Sequence, residues 1–131
     1  MSTSKYPLAA DPEAVGDYPA LAKAGGGYFY DEVLEYRVWA WDAERREDYF
    51  CAFPNYEDAL EFASHTDDAK DPLVLIRQLE YVDEPEPGEL YHIKKERIAE
   101  WLPEWLDRGP RQDGAIEAFI AEKKAENNEL N

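Results

Sequence analysis

Cysteine, methionine and histidine are scarce in this sequence, and their scarcity excludes several classes of protein. The 131 residues include one cysteine, one methionine and two histidines. One thiol cannot form an internal disulfide or build a cysteine-rich zinc cluster, which is typical of a reducing compartment. No apolar run approaches the roughly 18 to 20 residues of a membrane-spanning helix, and the first residues lack the apolar region of a secretory signal. The sequence therefore predicts a cytoplasmic protein without membrane contact.

Basic side chains are also few. There are 14 lysines and arginines against 30 aspartates and glutamates, which gives a formal net charge of -16. Because nucleic-acid binding depends on cations that displace counterions, direct binding to nucleic acid is not expected. The same charge permits the opposite role, in which the protein mimics a nucleic acid and occupies a nucleic-acid-binding protein.

Apolar residues are plentiful enough for a core. Hydrophobic residues make up 44% of the chain and aromatic residues 14%, and this length is typical of one domain. We divide that domain into three parts. They are N-terminal short helices with a glycine turn over residues 1–27, an α+β core over 28–107, and a C-terminal helix with a frayed tail over 108–131.

Two hairpins on either side of one helix are the predicted centre of the fold. Asn55 is a good N-cap for an amphipathic helix over 56–63, and a last helix is predicted from 115 to about 126. Aromatic, β-branched and alternating apolar residues predict the strands. These cover 28–41, 49–53, 73–82 and 90–99. The pattern favours a single-domain α+β fold with a mainly antiparallel four-stranded sheet, one central helix packed on it and short terminal helices. A split arrangement similar to a ferredoxin-like sheet is the competing topology.

Three consecutive glycines, Gly25–Gly27, interrupt the N-terminal part. Asp11 and Pro12 predict the start of a short helix, and a second helical turn is predicted over 20–24. Phosphate-binding glycine loops lie between a strand and the following helix, whereas these glycines lie between a predicted helix and a strand. We therefore predict a plain turn with close backbone packing here, in preference to a phosphate site.

No arrangement of residues predicts catalysis or metal binding. Cys51 lies in an apolar run and is expected to be a buried hydrophobe, and no serine-hydrolase motif is present. His92 and Glu96 share one face of a predicted strand, but no third ligand has a recognisable spacing. His65 has no nucleophile to serve as an acid or base. We therefore predict no metal site and favour a protein that is not an enzyme.

Tryptophan is the unusual component, with four copies in the chain. Indole rings often dominate the free energy of contacts with partners, although they also serve as core. Trp39 is expected to belong mainly to the core, while charged neighbours make Trp41 and Trp105 better candidates for the surface. The predicted partner-binding residues are Trp39, Trp41, Trp101 and Trp105.

The basic cluster Lys94–Arg97 stands near the acidic loop 83–89 in the second predicted hairpin. Compensation of charge within the chain is the favoured interpretation, and a docking site for an acidic ligand is the alternative.

A resemblance to a known family rests on four stretches of sequence. They are GGGYFYDEVLEYRVWAW, AFPNYEDALEFA, YVDEPEPGE and ERIAEWLPEWL. On these stretches, and over about residues 6–119, the chain resembles a family of small proteobacterial proteins of unknown role. Members of that family are often labelled GCN5-related acetyltransferases.

The resemblance implies acetyl transfer from acetyl-CoA. In that superfamily a bulged strand leads into Q/R-x-x-G-x-G/A at a helix N-terminus, whose amides hold the coenzyme A pyrophosphate. The nearest string here places Arg111 and Gly114 at the matching positions, with Ile116 where a small residue is usual. Arg111 and Gly114 are therefore the implied cofactor contacts.

The leading prediction is a non-catalytic acidic binding or regulatory module that engages a protein partner through an aromatic patch and uses no cofactor. An acetyl-CoA-dependent N-acetyltransferase is the first alternative. The acidic nucleic-acid mimic is the second.

Overall fold

Five strands form one mixed sheet, and two further strands form a separate hairpin. The computed structural model describes residues 5–129, with side chains to residue 126. The strands are β1 (Lys23–Ala24), β2 (Glu32–Asp42), β3 (Glu47–Phe53), β4 (Leu73–Gln78), β5 (Tyr81–Asp83), β6 (Tyr91–Ile93) and β7 (Arg97–Trp101). The α-helices are α1 (Tyr56–Ser64) and α2 (Ala115–Glu129), and the 3₁₀ helices cover Pro12–Ala14 and Pro103–Arg108.

The order of strands in the large sheet is β1-β7-β4-β2-β3. β2 pairs antiparallel with β3 and β4, and β4 pairs antiparallel with β7, but β1 runs parallel to β7. The predicted α+β single domain is confirmed. The predicted four-stranded antiparallel sheet is wrong, because β1 adds a fifth strand whose two residues are too few to show alternation in the sequence.

The second predicted hairpin divides into two pieces. β4 and β7 pair as far as Gln78 and Arg97, and pairing resumes in β5 and β6 with Tyr81 opposite Ile93. The register therefore shifts by one residue, and the strands predicted over 73–82 and 90–99 are each interrupted. The break lets the β5–β6 hairpin leave the sheet and pack against α2 through a separate cluster. That cluster contains Phe29, Val82 and Ile116, with Leu90, Phe119 and Ile120 at its margin.

The main core lies on the face of the sheet that α1 covers. Asn55 caps α1 by accepting a hydrogen bond from the Asp58 amide at 2.8 Å, as predicted from its position. Ala59 is fully buried, and α1 packs mainly on β2 and β3 of the large sheet. The helix therefore sits towards one edge of the sheet, and its predicted central position is wrong. The buried strand residues on this face include Tyr36, Val38, Val74, Ile76, Ala99 and Trp101.

The opposite face carries a buried ion pair. Arg37 and Glu35 on β2 are both fully buried, and Arg37 Nε lies 2.6 Å from Glu35 Oε2. Arg37 also donates hydrogen bonds to the carbonyls of Pro19 and Ala20. The Gly16 amide donates to Glu35 Oε1 at 2.8 Å. These bonds hold the N-terminal segment across the second face of the sheet.

The terminal parts differ in detail from their predictions. Asp11 caps the 3₁₀ helix Pro12–Ala14, but the helical turn predicted over 20–24 is wrong, because Lys23–Ala24 is a strand. The last helix was predicted to end at about residue 126, with a frayed tail after it. Instead, α2 continues to Glu129, and residues 130–131 lie outside the described residues. Neither of the α-helices within residues 5–129 has the length and apolar character to cross a bilayer.

Candidate functional site

A cleft of about 720 Å³ opens beside the parallel strand pair. We call it the glycine–tryptophan cleft. Its volume lies within the range of ligand-binding pockets. Its walls come from the turn after β1, from the end of β7 with the following 3₁₀ helix, and from the β5–β6 hairpin. The lining residues used below are Gly25, Gly26, Gly27, Tyr28, Asp83, Glu84, Arg97, Trp101, Glu104, Trp105 and Arg108.

The glycine wall is fixed by buried donors. Trp101 Nε1 donates to the carbonyls of Gly25 and Gly26 at 2.9 Å, and Gln78 Nε2 donates to the Gly26 carbonyl at 2.9 Å. Tyr28 follows with φ of 69°, a left-handed conformation that non-glycine residues rarely adopt. Backbone conformations of this kind concentrate at functional sites.

Gly27 is the point of closest packing in this wall. Its φ is +79°, and an added Cβ would lie 2.7 Å from Gln78 Nε2 and 2.8 Å from Arg97 Nη2. Only glycine satisfies both the conformation and the space. The glycines therefore turn the chain and bring its backbone close to neighbouring side chains.

Two tryptophans form the opposite wall. Trp101 is 2% exposed and Trp105 is 43% exposed, and their rings meet edge to face with centroids 5.7 Å apart. Pro103 begins the 3₁₀ helix that carries Trp105. Trp101 is thus a fixed support, while Trp105 presents one large apolar surface to the solvent and the cleft.

Charged groups of both signs line the cleft. The Arg97 guanidinium stacks 3.8 Å from the Tyr81 ring centroid and donates to Gln78 Oε1, so its position is fixed. Arg108 lies 5.5 Å from the Phe29 ring centroid. Three exposed carboxylates accompany these two cations. They belong to Asp83, Glu84 and Glu104.

A hydrogen bond links two walls of the cleft. The Tyr28 hydroxyl donates to Glu84 Oε1. This bond is the main cause that raises the pKa of Tyr28 and lowers the pKa of Glu84 from their ordinary values. The Gly88 amide also donates to Glu84, at 3.0 Å. The acidic loop after β5 is therefore fastened to the glycine wall.

The structure separates the predicted tryptophans. Trp101 and Trp105 share the glycine–tryptophan cleft, whereas Trp41 is 44% exposed and lines a different depression of about 570 Å³ with Tyr49. Trp39 is half-buried and donates from Nε1 to Glu100 at 2.8 Å. Trp41 and Trp105 thus lie at two distinct sites.

The implied cofactor residues lie elsewhere. Arg111 donates from Nε to Asp31 Oδ1 at 2.9 Å and lies 3.3 Å from Glu80 Oε2, and the bond with Asp31 is the main cause that raises the pKa of Arg111. Gly114 is exposed, with φ of +81° just before α2. Neither residue lines the glycine–tryptophan cleft. Binding of acetyl-CoA at these residues stays a prediction.

The remaining candidates from the sequence have structural roles. His65 is the C-cap of α1, and its backbone amide donates to the Glu61 and Phe62 carbonyls. Glu96 pairs with Arg77 at 3.1 Å rather than with His92. Cys51 is half-buried on β3.

Sequence reasoning missed Arg97, Arg108 and Tyr28 as lining residues. Gly25 was predicted in a turn and Trp101 at a partner-binding surface, but the two residues are 76 positions apart in the chain. Because β1 carries too little pattern to be recognised, nothing in the sequence brings these two regions together.

Comparison with known proteins found no match to this chain among family models, curated proteins or solved structures. The chemistry of the cleft must therefore be argued from its own residues.

Proposed function

We propose that the protein is a non-catalytic binding module whose glycine–tryptophan cleft docks a basic segment of a protein partner. The observation that carries this proposal is the half-exposed Trp105 indole resting on the buried Trp101 at the mouth of the cleft. Tryptophan in such a position is the residue type most often found to dominate binding free energy.

Preorganisation supports the proposal. The glycine wall is held by Trp101 and Gln78, and the acidic loop is held by Tyr28 through Glu84. A ligand entering this cleft would not have to order these elements, and so less of the interaction free energy is lost on binding.

Charge selects the kind of segment. The chain has a formal net charge of -16, which attracts basic partners over distance. Within the cleft, Arg97 is already engaged by Gln78 and Tyr81. Glu104 is exposed next to Trp105. A lysine or arginine side chain of the partner would stack on the Trp105 indole and face the Glu104 carboxylate at the same time.

The test uses a labelled synthetic peptide of alternating arginine and leucine, with a matched peptide in which glutamate replaces arginine. Fluorescence anisotropy measures both against the wild-type protein and against Trp105→Ala and Trp41→Ala. We expect the basic peptide to bind more tightly at low salt than at high salt. Trp105→Ala should weaken it at least about tenfold, a change of about 1.4 kcal/mol. Trp41→Ala serves as the matched control and should change the affinity less than about twofold.

A second measurement locates the peptide. The four tryptophans give four indole N–H signals in a proton–nitrogen spectrum, and we expect that of Trp105 and the amides of Gly25–Gly27 to move. Equal binding of the acidic peptide, or equal losses in both tryptophan variants, would contradict the proposal. Movement confined to the Trp41 signal would assign binding to the depression that Trp41 lines with Tyr49. That result would also contradict the proposal.

A further inference from the structure

A second cluster of ionisable side chains lies away from the glycine–tryptophan cleft. Glu80 sits in the break between β4 and β5, His92 is on β6, and Glu117 is in the first turn of α2. One ligand atom from each of the three lies within 4.8 Å of the other two. Three separate elements thus bring an imidazole and two carboxylates to one place.

Hydrogen bonding does not fully account for this arrangement. His92 Nε2 lies 2.6 Å from Glu80 Oε1 with hydrogen-bond geometry. Glu117 Oε1 stands 3.3 Å from His92 Nδ1, but within the described residues this approach does not satisfy the geometry of a hydrogen bond. The two carboxylates therefore approach different nitrogens of one ring, and one ligand atom of each lies within 4.8 Å of the other, although like charges repel.

One neighbouring cation is shared by the cluster. Arg111 lies 3.3 Å from the second oxygen of Glu80, and its guanidinium also makes two contacts of 2.9 Å with Asp31. Arg111 is therefore divided between Asp31 and Glu80, and within the described residues no lysine or arginine pairs with the carboxylate charge of Glu117. His92 is only partly exposed, so solvent screens this charge less than at an open surface.

We propose that Glu80, His92 and Glu117 form a binding site for a divalent transition-metal ion, for which Zn²⁺ is the natural probe. An imidazole nitrogen with carboxylate oxygens is a donor set that suits Zn²⁺ and its neighbours. Three protein ligands leave a position for water.

An outer contact already orients one of the ligands. Arg111 holds the outer oxygen of Glu80 and is itself held by Asp31. Such outer contacts are typical of metal sites and set the direction of the ligand atoms. A metal ion on His92 Nε2 would replace the contact with Glu80, and because metal ligands must be free of protons, its binding should weaken as the pH falls.

The site would also join parts of the fold that the main sheet does not hold together. Apolar contacts of Val82 and Ile116 now link the β5–β6 hairpin to α2. A metal ion bridging His92 and Glu117 would add a direct link between the two. Because a ligand that binds only the folded state stabilises it, bound Zn²⁺ should raise the melting temperature.

Isothermal titration calorimetry with Zn²⁺, on protein free of any histidine tag, tests the proposal. We expect one ion per chain and a higher melting temperature. His92→Gln and Glu117→Gln should each weaken binding at least about tenfold. His65→Gln is the matched control, because His65 is the other histidine and is the C-cap of α1, away from β6. Glu117 is 57% exposed in its side chain, so its variant should fold even if that of His92 does not.

Spectroscopy separates this site from general attraction of cations to an acidic protein. With two histidines in the chain, the imidazole nitrogens can be followed individually, and Zn²⁺ should shift those of His92 and leave those of His65 in place. Absence of saturable binding would overturn the proposal. So would binding of several ions that His92→Gln does not change, or displacement of Zn²⁺ by an equal concentration of Ca²⁺, which prefers oxygen ligands.

Discussion

Gly27 is the residue on which the shape of the cleft depends most directly. Replacing it with alanine would force a side chain into a left-handed backbone and against Gln78 and Arg97, which lie under 3 Å from the new Cβ. We expect Gly27→Ala to lower the free energy of unfolding by about 2–4 kcal/mol, combining the cost of the conformation and that of overpacking. Urea denaturation measures this change.

Gly26 supplies the control for that experiment. An added Cβ there would have the Tyr28 amide nitrogen as its nearest neighbour, at 3.9 Å. Gly26→Ala should therefore change the free energy of unfolding by no more than about 0.5 kcal/mol. If the two variants lost the same stability, the close packing described around Gly27 would be wrong.

At the scale of elements, the N-terminal segment depends on one buried arginine. Arg37→Met would remove the donors to Pro19 and Ala20 and leave the buried Glu35 carboxylate without its cation. Breaking a buried pair in this way costs about 3–5 kcal/mol. We expect the amides of Gly16 and Asp17, which donate to Glu35 and to the Ala14 carbonyl, to lose protection in hydrogen exchange, even under conditions where the sheet remains folded.

Arg77 is a suitable comparison, since it lies on the neighbouring strand β4 and pairs with the exposed carboxylates of Glu32 and Glu96. Exposed ion pairs contribute about 0–1 kcal/mol. Arg77→Met should therefore leave exchange at the amides of Gly16 and Asp17 unchanged. Similar exchange in both variants would show that Arg37 does not hold the segment.

Elements with a clear local pattern could be predicted from the sequence. The α1 helix has its cap at Asn55 and its buried Ala59, so its limits were predicted to within one residue. β3 has a dense apolar pattern, and the prediction over 49–53 has the correct end but misses the first two residues of Glu47–Phe53. Local patterns do not predict β1, because two residues show no periodicity. They also do not predict the break at Glu80, because the apolar alternation continues from β4 into β5.

The candidate site was harder to predict for the same physical reason. Charged neighbours make Trp105 a better candidate for the surface than Trp39, and it is 43% exposed. The cleft itself needs the parallel pairing of β1 with β7. Glu80, His92 and Glu117 likewise meet only because the broken hairpin packs on α2. Long-range packing of this kind leaves no spacing that can be recognised along the chain.

For the molecule as a whole, buried tyrosines make stability depend on alkaline pH. Burial is the main cause that raises the pKa of both Tyr36 and Tyr30 above the ordinary value. Above pH of about 10 the unfolded chain loses these protons and the folded protein keeps them. The unfolded state then binds fewer protons, so stability must fall as pH rises.

Thermal unfolding between pH 7 and 11 measures this effect. Each tyrosine that stays protonated should contribute a decline of about 1.4 kcal/mol per pH unit above its unfolded pKa. Tyr36→Phe should make the decline shallower, although it also removes the hydrogen bond to the Pro7 carbonyl. Tyr91→Phe is the control, because Tyr91 is 53% exposed. An identical decline in both variants would refute the assignment.

The parallel pairing of β1 with β7 has a consequence for how the molecule is made. The glycine wall leaves the ribosome before Trp101, which fixes it and follows 76 residues later than Gly25. Contacts between such distant segments form late, because closing the long intervening loop costs chain entropy. A nascent chain therefore holds the glycine wall without its support until Trp101 has been synthesised and has emerged.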